Sequence, residues 1–182
     1  MLTQTPQWVA IYTRSRAEKR VAQLLAGQDF ECYLPQVERC HRWSDRYKMV
    51  VEPLFRSYVF VKIKNTDVIP IRSTPGVCFI VSFGGEIVTV PQAQIDAIER
   101  LVASKQELFV HETASLTKGK KVDIVEGHFA GMSGILLSGC KDGNFAVRID
   151  AIGATIVTTV DRLLLRPAKP QNQPKVRKIT IR

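Results

Sequence analysis

The chain has 182 residues and 45% of them are hydrophobic, so it can form one large domain or two small ones with a real core. Lysine and arginine number 26 against 17 aspartates and glutamates, which gives a net charge of +9. This excess predicts a polyanionic partner, nucleic acid ahead of a membrane, with a generic basic protein as the alternative. No apolar run approaches the length of a membrane span and residues 3–7 are polar, so a cytoplasmic location is expected.

The positive charge is unevenly distributed along the chain. Residues 1–105 contain 14 basic and 10 acidic residues, whereas residues 106–167 contain 7 of each. Residues 168–182 contain 5 basic residues and no acidic one, and we expect them to form a loosely held basic tail. The middle segment therefore has no electrostatic reason to bind DNA.

The cysteines do not predict a metal site. The four of them are Cys32, Cys40, Cys78 and Cys140. No two form a CxxC pair and only His41 adjoins one of them, which is not the spacing of a zinc site. Free thiols in a reducing cytosol are the expected state.

The first predicted element is a strand that leads into a basic helix. Residues 8–13, WVAIYT, alternate in the manner of a strand. Ser15 stands three residues before Glu18, which is the capping-box spacing, so a helix is predicted from Ser15 to a stop at Gly27. The cations at this junction are Arg14, Arg16, Lys19 and Arg20. A positive helix start is suited to holding phosphates, and a solvated helix face is the alternative.

The rest of residues 1–105 predicts a compact unit of mixed structure. An exposed hairpin or long loop is expected at 36–52, and a helix is expected after Pro91. The other predicted elements are strands at 31–35, 53–63, 77–83 and 86–90, the last two joined by a Gly84-Gly85 turn, and a short helix at 67–73. The order β-α-β-β-α-β-β-α predicts an α+β sandwich, with an antiparallel sheet covered by helices.

The texture changes after a predicted linker at 106–117. Short segments rich in Val, Ile and Leu alternate with glycines, which predicts a small closed barrel of the SH3-like type at 118–167. The predicted strands lie at 121–125, 133–137, 144–149, 155–160 and 163–165.

Four segments, in this order and with matching spacing, resemble the NusG family of transcription elongation factors. They are WVAIYTRSRAEKRV at 8–21, PLFRSYVFVKI at 53–63, TPGVCFIVSFGG at 74–85 and GKKVDIVEGHFAGMSGIL at 119–136. The resemblance covers about residues 8–167, and its last segment is similar to a KOW motif. It implies an NGN-like domain at 1–105 and a KOW barrel at 118–167. It also implies a protein that is not an enzyme, with no catalytic residue, cofactor or metal. The sequence itself shows no paired carboxylates, Ser/His/Asp set or phosphate-cradling glycine loop.

The resemblance implies that the N-terminal domain docks on the clamp helices of the large (β′) subunit of RNA polymerase. The expected contact is an apolar depression formed by Tyr12, Leu54, Tyr58, Val59 and Phe60. In such helix-in-groove contacts a few aromatic anchors carry most of the binding. The alternative is that Tyr58 and Phe60 are core residues, since alternate residues of a strand face the same way.

Upstream or non-template DNA is the second partner that the resemblance implies. Phosphates would pair with the basic residues, and unpaired bases would stack on Trp43 and Tyr47. The expected nucleic-acid-binding residues are Arg14, Arg16, Lys19, Arg20, Arg42, Trp43, Arg46 and Lys48. The expected effect is reduced pausing and termination.

The KOW barrel is implied to recruit a protein partner through Phe129, Met132 and Ile152. The implied partner is ribosomal protein S10, the termination factor Rho, or both. The alternative is that these residues fill the barrel. The chain has Ile152-Gly153-Ala154 where general members have Phe-Gly-Arg, which weakens the expectation for Rho.

Departures from the family pattern favour a specialised paralogue of the kind that controls surface-polysaccharide operons. One is the barrel loop at Ile152, and another is Arg56, which stands where the family commonly has proline. A monomer is expected. The rival from another class is a ribosome-associated RNA-binding KOW protein, which would use the barrel and the basic tail.

Overall fold

The computed structural model of the chain describes residues 4–112, 119–127, 129–137 and 144–168. The predicted basic tail from residue 169 onward, linker residues 113–117, residue 118 and Cys140 lie outside these ranges. The N-terminal elements are β1 (Gln7–Thr13), α1 (Glu18–Ala26), β2 (Glu31–Tyr33), β3 (Gln36–Arg42), β4 (Tyr47–Pro53), β5 (Tyr58–Ile63), α2 (Val68–Ser73), β6 (Val77–Ile80), β7 (Ser82–Phe83), β8 (Glu86–Ile87), β9 (Thr89–Val90) and α3 (Gln92–Ala103). The C-terminal strands are β10 (Phe109–Glu112), β11 (Lys120–Ile124), β12 (Ser133–Leu136), β13 (Asn144–Ile149), β14 (Ala154–Thr159) and β15 (Leu165–Pro167).

Strand β1 is central to the N-terminal antiparallel sheet. The strand order is β2-β5-β1-β6, and β9 also pairs with β1. Trp8 and Val9 pair with β9, whereas Ile11, Tyr12 and Thr13 pair with β6. Because β5 pairs with β1 along its whole length, β1 has neighbours on both edges.

Helices cover both faces of this sheet, as the sequence predicts. Val21 and Leu25 of α1 belong to a core cluster with Val9 and Ile11 of β1, and α2 joins the same cluster. On the opposite face, α3 packs through three fully buried residues, Ile95, Ile98 and Leu101. Among the described residues, no helix combines the length and apolarity needed to cross a bilayer.

Helix α1 begins later than the sequence predicts. Its N-cap is Ala17, which makes no side-chain capping hydrogen bond, so the predicted Ser15–Glu18 capping box is wrong. Arg16 has a φ of 63°, a left-handed conformation that ends the helical path before Ala17. The Glu18 carboxylate instead accepts a hydrogen bond of 2.7 Å from the Ser57 backbone N–H.

The predicted strand at 53–63 is divided in two. Pro53 is the last residue of β4, and β5 begins only at Tyr58. The interruption is at Ser57, whose φ of 63° is incompatible with an extended strand. Leu54 and Phe55 in this loop are buried, with exposed fractions of 5% and 3%.

Two hairpins extend from the N-terminal sheet. Strands β3 and β4 pair along seven residues each, which confirms the hairpin expected at 36–52. Strands β7 and β8 form the other hairpin, and its turn has φ values of 59° at Gly84 and 84° at Gly85. Positive φ at both central residues is what a tight turn between right-twisted strands requires, so the predicted Gly-Gly turn is confirmed.

The C-terminal strands form one antiparallel sheet in the order β10-β14-β13-β12-β11-β15. Strand β10 falls within the predicted linker but pairs with β14, which leaves residues 104–108 between α3 and this sheet. Within the described residues no pairing joins β10 to β15, so the expected closed barrel is not observed. Strands are present at four of the other predicted positions, as β11 to β14. The strand predicted at 163–165 is wrong, because residues Arg162–Leu164 form a 3-10 turn and β15 begins only at Leu165.

The core of the C-terminal sheet is continuous with the core beneath α3. One cluster of buried residues includes Trp8 and Leu101 together with Phe145 and Ile149. The 3-10 turn Asp150–Ile152 lies against β1 and β9. Arg100 of α3 also donates a hydrogen bond of 3.2 Å to the Ala130 carbonyl.

Gly134 is a sharp test of the C-terminal packing. A Cβ at this position would overlap the Phe145 ring and would lie 2.7 Å from the Ala146 carbonyl oxygen. Gly134→Ala is therefore expected to lower the free energy of unfolding by about 1–3 kcal/mol. Gly27→Ala is the matched control, because its Cβ would make only ordinary contacts of 3.5 Å or more. Urea denaturation of both variants measures the difference, and equal stabilities would contradict the packing.

Glu18→Ala tests the contact that fixes the loop before β5. The change leaves the Ser57 N–H without its carboxylate acceptor, and we expect a loss of about 1–3 kcal/mol in unfolding free energy. Glu31→Ala is the control, because Glu31 forms an exposed ion pair with Lys62 and should cost less than about 1 kcal/mol. A Glu18 variant as stable as the control in thermal and urea unfolding would contradict this role.

Candidate functional site

Three aromatic side chains from neighbouring strands form an accessible row on the sheet face that α3 only partly covers. We call Tyr12, Tyr58 and Phe79 the aromatic triad. Tyr12 lies opposite Tyr58 of β5 and opposite Phe79 of β6. The Tyr12 ring packs edge-on against Tyr58 with centroids 5.2 Å apart, and it stacks on Phe79 with centroids 4.9 Å apart.

The aromatic triad remains accessible to solvent. Tyr12 and Tyr58 are half-buried, and Phe79 is 50% exposed. Burial and the nearby Tyr12 raise the pKa of Tyr58, so its hydroxyl stays protonated at neutral pH. The triad is therefore an uncharged aromatic surface with two hydroxyl groups, which suits the apolar side of a protein partner.

The other three residues expected in the docking depression are inside the protein. Leu54 is 5% exposed, and Val59 and Phe60 are 0% exposed. Phe60 packs between Tyr33 and Phe55, with centroids 6.4 and 5.9 Å away. These three residues therefore support the surface from beneath and cannot contact a partner in this structure. Phe79 was not among the residues named from the sequence.

The four expected cations around the start of α1 are all exposed: Arg14, Arg16, Lys19 and Arg20. Lys19 Nζ donates to the Val51 carbonyl at 3.0 Å, which ties α1 to β4. Within the described part of the chain, none of the four forms an ion pair with a carboxylate. Their charge is thus available to an anionic ligand.

The remaining expected nucleic-acid contacts lie on one hairpin, which we call the ribbon (β3 and β4). At its tip the backbone N–H of Trp43 donates to the Arg46 carbonyl at 2.8 Å. Trp43 is 50% exposed and Tyr47 is 71% exposed. Lys48 Nζ lies 5.5 Å from the centroid of the Trp43 ring, which is a cation–π distance. Arg42, Arg46 and Lys48 are exposed beside these rings.

Polar contacts stiffen the base of the ribbon. Arg39 Nε pairs with the Glu52 carboxylate across the two strands at 2.8 Å, and His41 Nε2 lies 3.6 Å from the same carboxylate. Arg39 also donates a hydrogen bond of 3.0 Å to the Leu108 carbonyl. The ribbon is therefore connected to the segment that leads into the C-terminal sheet, and no local sequence pattern indicates this contact.

The residues expected to bind a partner through the C-terminal unit are largely covered. Phe129 is 4% exposed and Met132 is 6% exposed, so both are packed in the core. Ile152 is half-buried in the 3-10 turn that lies against β1 and β9. The following residue, Gly153, has a φ of 60°, which reverses the chain into β14. Full access of a partner to Ile152 would require this turn to move away from the N-terminal sheet.

The titratable groups do not form a catalytic or metal-binding arrangement in the described residues. No group of three or more His, Cys, Asp or Glu residues in these ranges could hold a metal ion. Burial raises the pKa of the Cys32 thiol to about 11, whereas Cys40 and Cys78 are exposed. A thiol with a raised pKa is a poor nucleophile, so Cys32 acts as a packing residue.

One solved structure of a known protein has a similar fold. The structure that describes domain interaction in Thermotoga maritima NusG matches with a TM-score of 0.53 and 20% identity, covering 90% of this chain and 98% of that one. The MjSpt4:Spt5 complex, in conformations A and B, matches with 19% identity, 88% coverage of this chain, and 97% and 95% of those chains. Its TM-scores of 0.29 and 0.31 are too low to support an argument.

The fold therefore defines a protein with a helix-covered antiparallel sheet followed by a second β unit. The family model described as "Transcription termination factor nusG" matches residues 6–99, which is more than half of the 182 residues. The chain belongs to the NusG family, whose members are non-enzymatic transcription factors. The prediction that this protein is not an enzyme is confirmed by that membership.

Cysteine reactivity tests the packing beside α1. In the folded protein at pH 8, below the raised pKa, Cys32 should react with iodoacetamide at least about tenfold more slowly than Cys40 or Cys78. Mass-spectrometric peptide mapping over time measures each rate, and urea should remove the difference. Equal native rates at Cys32 and Cys40 would show that Cys32 is not buried as described.

Proposed function

We propose that this protein is a transcription elongation and antitermination factor that docks on RNA polymerase through the aromatic triad. The proposed contact is the tip of the clamp helices of the large (β′) subunit. The observation that carries the proposal is the accessible stack of Tyr12, Tyr58 and Phe79 on the sheet of a NusG-family domain. Stacked aromatic side chains lose little conformational entropy on binding, because their neighbours already hold them in place.

The buried residues beside the triad support this role indirectly. Phe60 and Val59 belong to the same strand as Tyr58 and are fully enclosed, so they hold β5 rigidly. A rigid sheet keeps the three rings in one orientation and lowers the cost of ordering them in a complex. We therefore assign the direct contact to the triad and the supporting role to Leu54, Val59 and Phe60.

Nucleic acid is the proposed second ligand. The exposed cations at the start of α1 and on the ribbon are suited to upstream or non-template DNA, with Trp43 and Tyr47 stacking on unpaired bases. Protein and DNA bound together would hold the upstream edge of the transcription bubble, and that arrangement would disfavour pausing and termination.

We further propose that the C-terminal sheet is a KOW barrel that recruits a protein partner, with ribosomal protein S10 ahead of Rho. Phe129, Met132 and Ile152 would form the contact, and the turn at Ile152 would leave the N-terminal sheet to expose Ile152 fully. Ala154 lacks the cation of the Phe-Gly-Arg loop, and this change supports a specialised paralogue that acts on selected operons. Such a factor would act in the cytoplasm as a monomer.

Removal of two stacked rings tests the docking surface. The Tyr12→Ala/Phe79→Ala variant should lose at least about thirtyfold in affinity for the clamp-helix fragment of the cognate polymerase, because central aromatic anchors are worth about 2 kcal/mol or more. Biolayer interferometry measures the affinity, and circular dichroism verifies the fold.

Trp43→Ala is the matched control, since Trp43 is 50% exposed like Phe79 but lies at the tip of the ribbon. It should bind the fragment as the unchanged protein does. Phe60→Ala is not informative, because loss of a fully buried ring would destabilise the sheet. A folded double variant with undiminished affinity would overturn the docking proposal.

A further inference from the structure

A cavity of about 500 Å³ lies between the start of α1 and the loop that joins β4 to β5. Three cations from three parts of the chain line this cavity. Arg16 precedes α1, Lys19 lies within α1, and Arg56 belongs to the loop before β5. The complete lining is Ser15, Arg16, Glu18, Lys19, Glu52, Pro53 and Arg56. Arg56 was noted in the sequence as a departure from the family pattern, and docking on polymerase gives it no role.

Two of the three cations of this cavity have no polar partner among the described residues, whereas Lys19 donates to the Val51 carbonyl. Glu18 accepts the Ser57 N–H at 2.7 Å, and Glu52 is paired with Arg39 at 2.8 Å. In contrast, the side chains of Arg16 and Arg56 make no hydrogen bond or ion pair with any residue that the structure describes. The guanidinium groups of Arg16 and Arg56 therefore keep free N–H donors at this cavity. The three cations of the lining outnumber its two carboxylates, of which Glu52 is already paired with Arg39.

Hydrogen bonds fix the backbone of the two loops that carry Arg16 and Arg56. Arg16 has a left-handed φ of 63°, and the residues on either side of it are fixed by hydrogen bonds from Arg14 N to Gly76 O and from Ala17 N to Arg14 O. Ser57, next to Arg56, has the same φ and is held by Glu18. Such conformations persist in non-glycine residues only where the surroundings enforce them. The backbone positions that carry both arginines are thus set by constrained loops that line the cavity.

We propose that this cavity is a phosphate seat in which Arg16, Lys19 and Arg56 hold one phosphodiester group of a nucleic-acid strand. Guanidinium groups bind phosphate oxygens with paired N–H donors, which a lysine ammonium cannot do. The inference rests on the proposed nucleic-acid binding and adds Arg56 and a defined position to it.

The position of the ribbon favours a nucleic-acid strand over a free nucleotide as the ligand. Strand β4 runs from Glu52 and Pro53, which line the cavity, to Tyr47 at the exposed tip. This path is about 17 Å long at the usual rise per residue. A nucleic-acid strand with one phosphate in this cavity can therefore follow β4 and reach Trp43 and Lys48. A mononucleotide would leave the tip unused.

The test measures how the full-length protein binds a labelled single-stranded oligonucleotide of about 20 residues, from about 50 to about 200 mM salt. For Arg56→Gln, fluorescence anisotropy should give a roughly three- to tenfold weaker affinity at low salt. The slope of log affinity against log salt should fall by about 0.7, which corresponds to one lost phosphate contact on a single strand. Arg72→Gln is the control, because Arg72 is an exposed arginine on α2, away from the cavity, and its removal should change neither value.

The outcomes separate this inference from the wider function. Arg56→Gln and Arg72→Gln could show the same affinity and salt slope while the unchanged protein binds the oligonucleotide. In that case the proposed phosphate site fails and the proposed nucleic-acid binding stands. If the unchanged protein does not bind the strand, both fail, whereas docking on polymerase is unaffected. AMP added at constant ionic strength distinguishes the source of the phosphate. The contrary result is that micromolar AMP displaces the oligonucleotide from the unchanged protein but not from Arg56→Gln. That result would show that the cavity binds a free nucleotide, and it would overturn the proposal that it binds a nucleic-acid strand.

Discussion

The antiparallel pairing of β1 with β5 and β6 determines where both candidate surfaces lie. Its register places Tyr12 directly between Tyr58 and Phe79, so three rings that are distant in the sequence form one row. The same strand ends at Thr13 and delivers the chain to the basic start of α1. A slip of one residue in this pairing would turn Tyr12 toward α1 and would bring Ile11 to the accessible face. The aromatic surface therefore depends on backbone register as much as on side-chain identity.

Most of the N-terminal architecture could be predicted from local patterns. Strand alternation, the Gly84-Gly85 turn and the buried stripe of α3 each depend on residues that are near one another in the chain, and each is found in the structure. The predicted capping box at Ser15 is wrong because the Glu18 carboxylate accepts a hydrogen bond from the backbone N–H of Ser57, 39 residues away. No local rule could reveal that contact.

The same limit explains which site residues were misjudged. Tyr58 and Phe60 share a strand face, and the sequence could not tell which of them lies beneath Phe55. Phe79 could be placed on a strand, but its stacking on Tyr12 depends on the pairing of β6 with β1. Arg56 was visible only as an unusual residue, and its position beside Arg16 required the folded loop. Strand partners and loop closure are long-range properties, so single-sequence patterns leave them open.

The position of Lys48 limits how Trp43 can meet a nucleobase. The ammonium lies 5.5 Å from the ring centroid, and it covers one side of the indole. The opposite side is then the one open to a base, and the ammonium polarises the ring on which that base would rest. If the ribbon binds unpaired bases as proposed, Trp43 in this arrangement would close the end of a column of stacked bases. The hairpin tip would thus act as a terminus that sets where an ordered single strand stops.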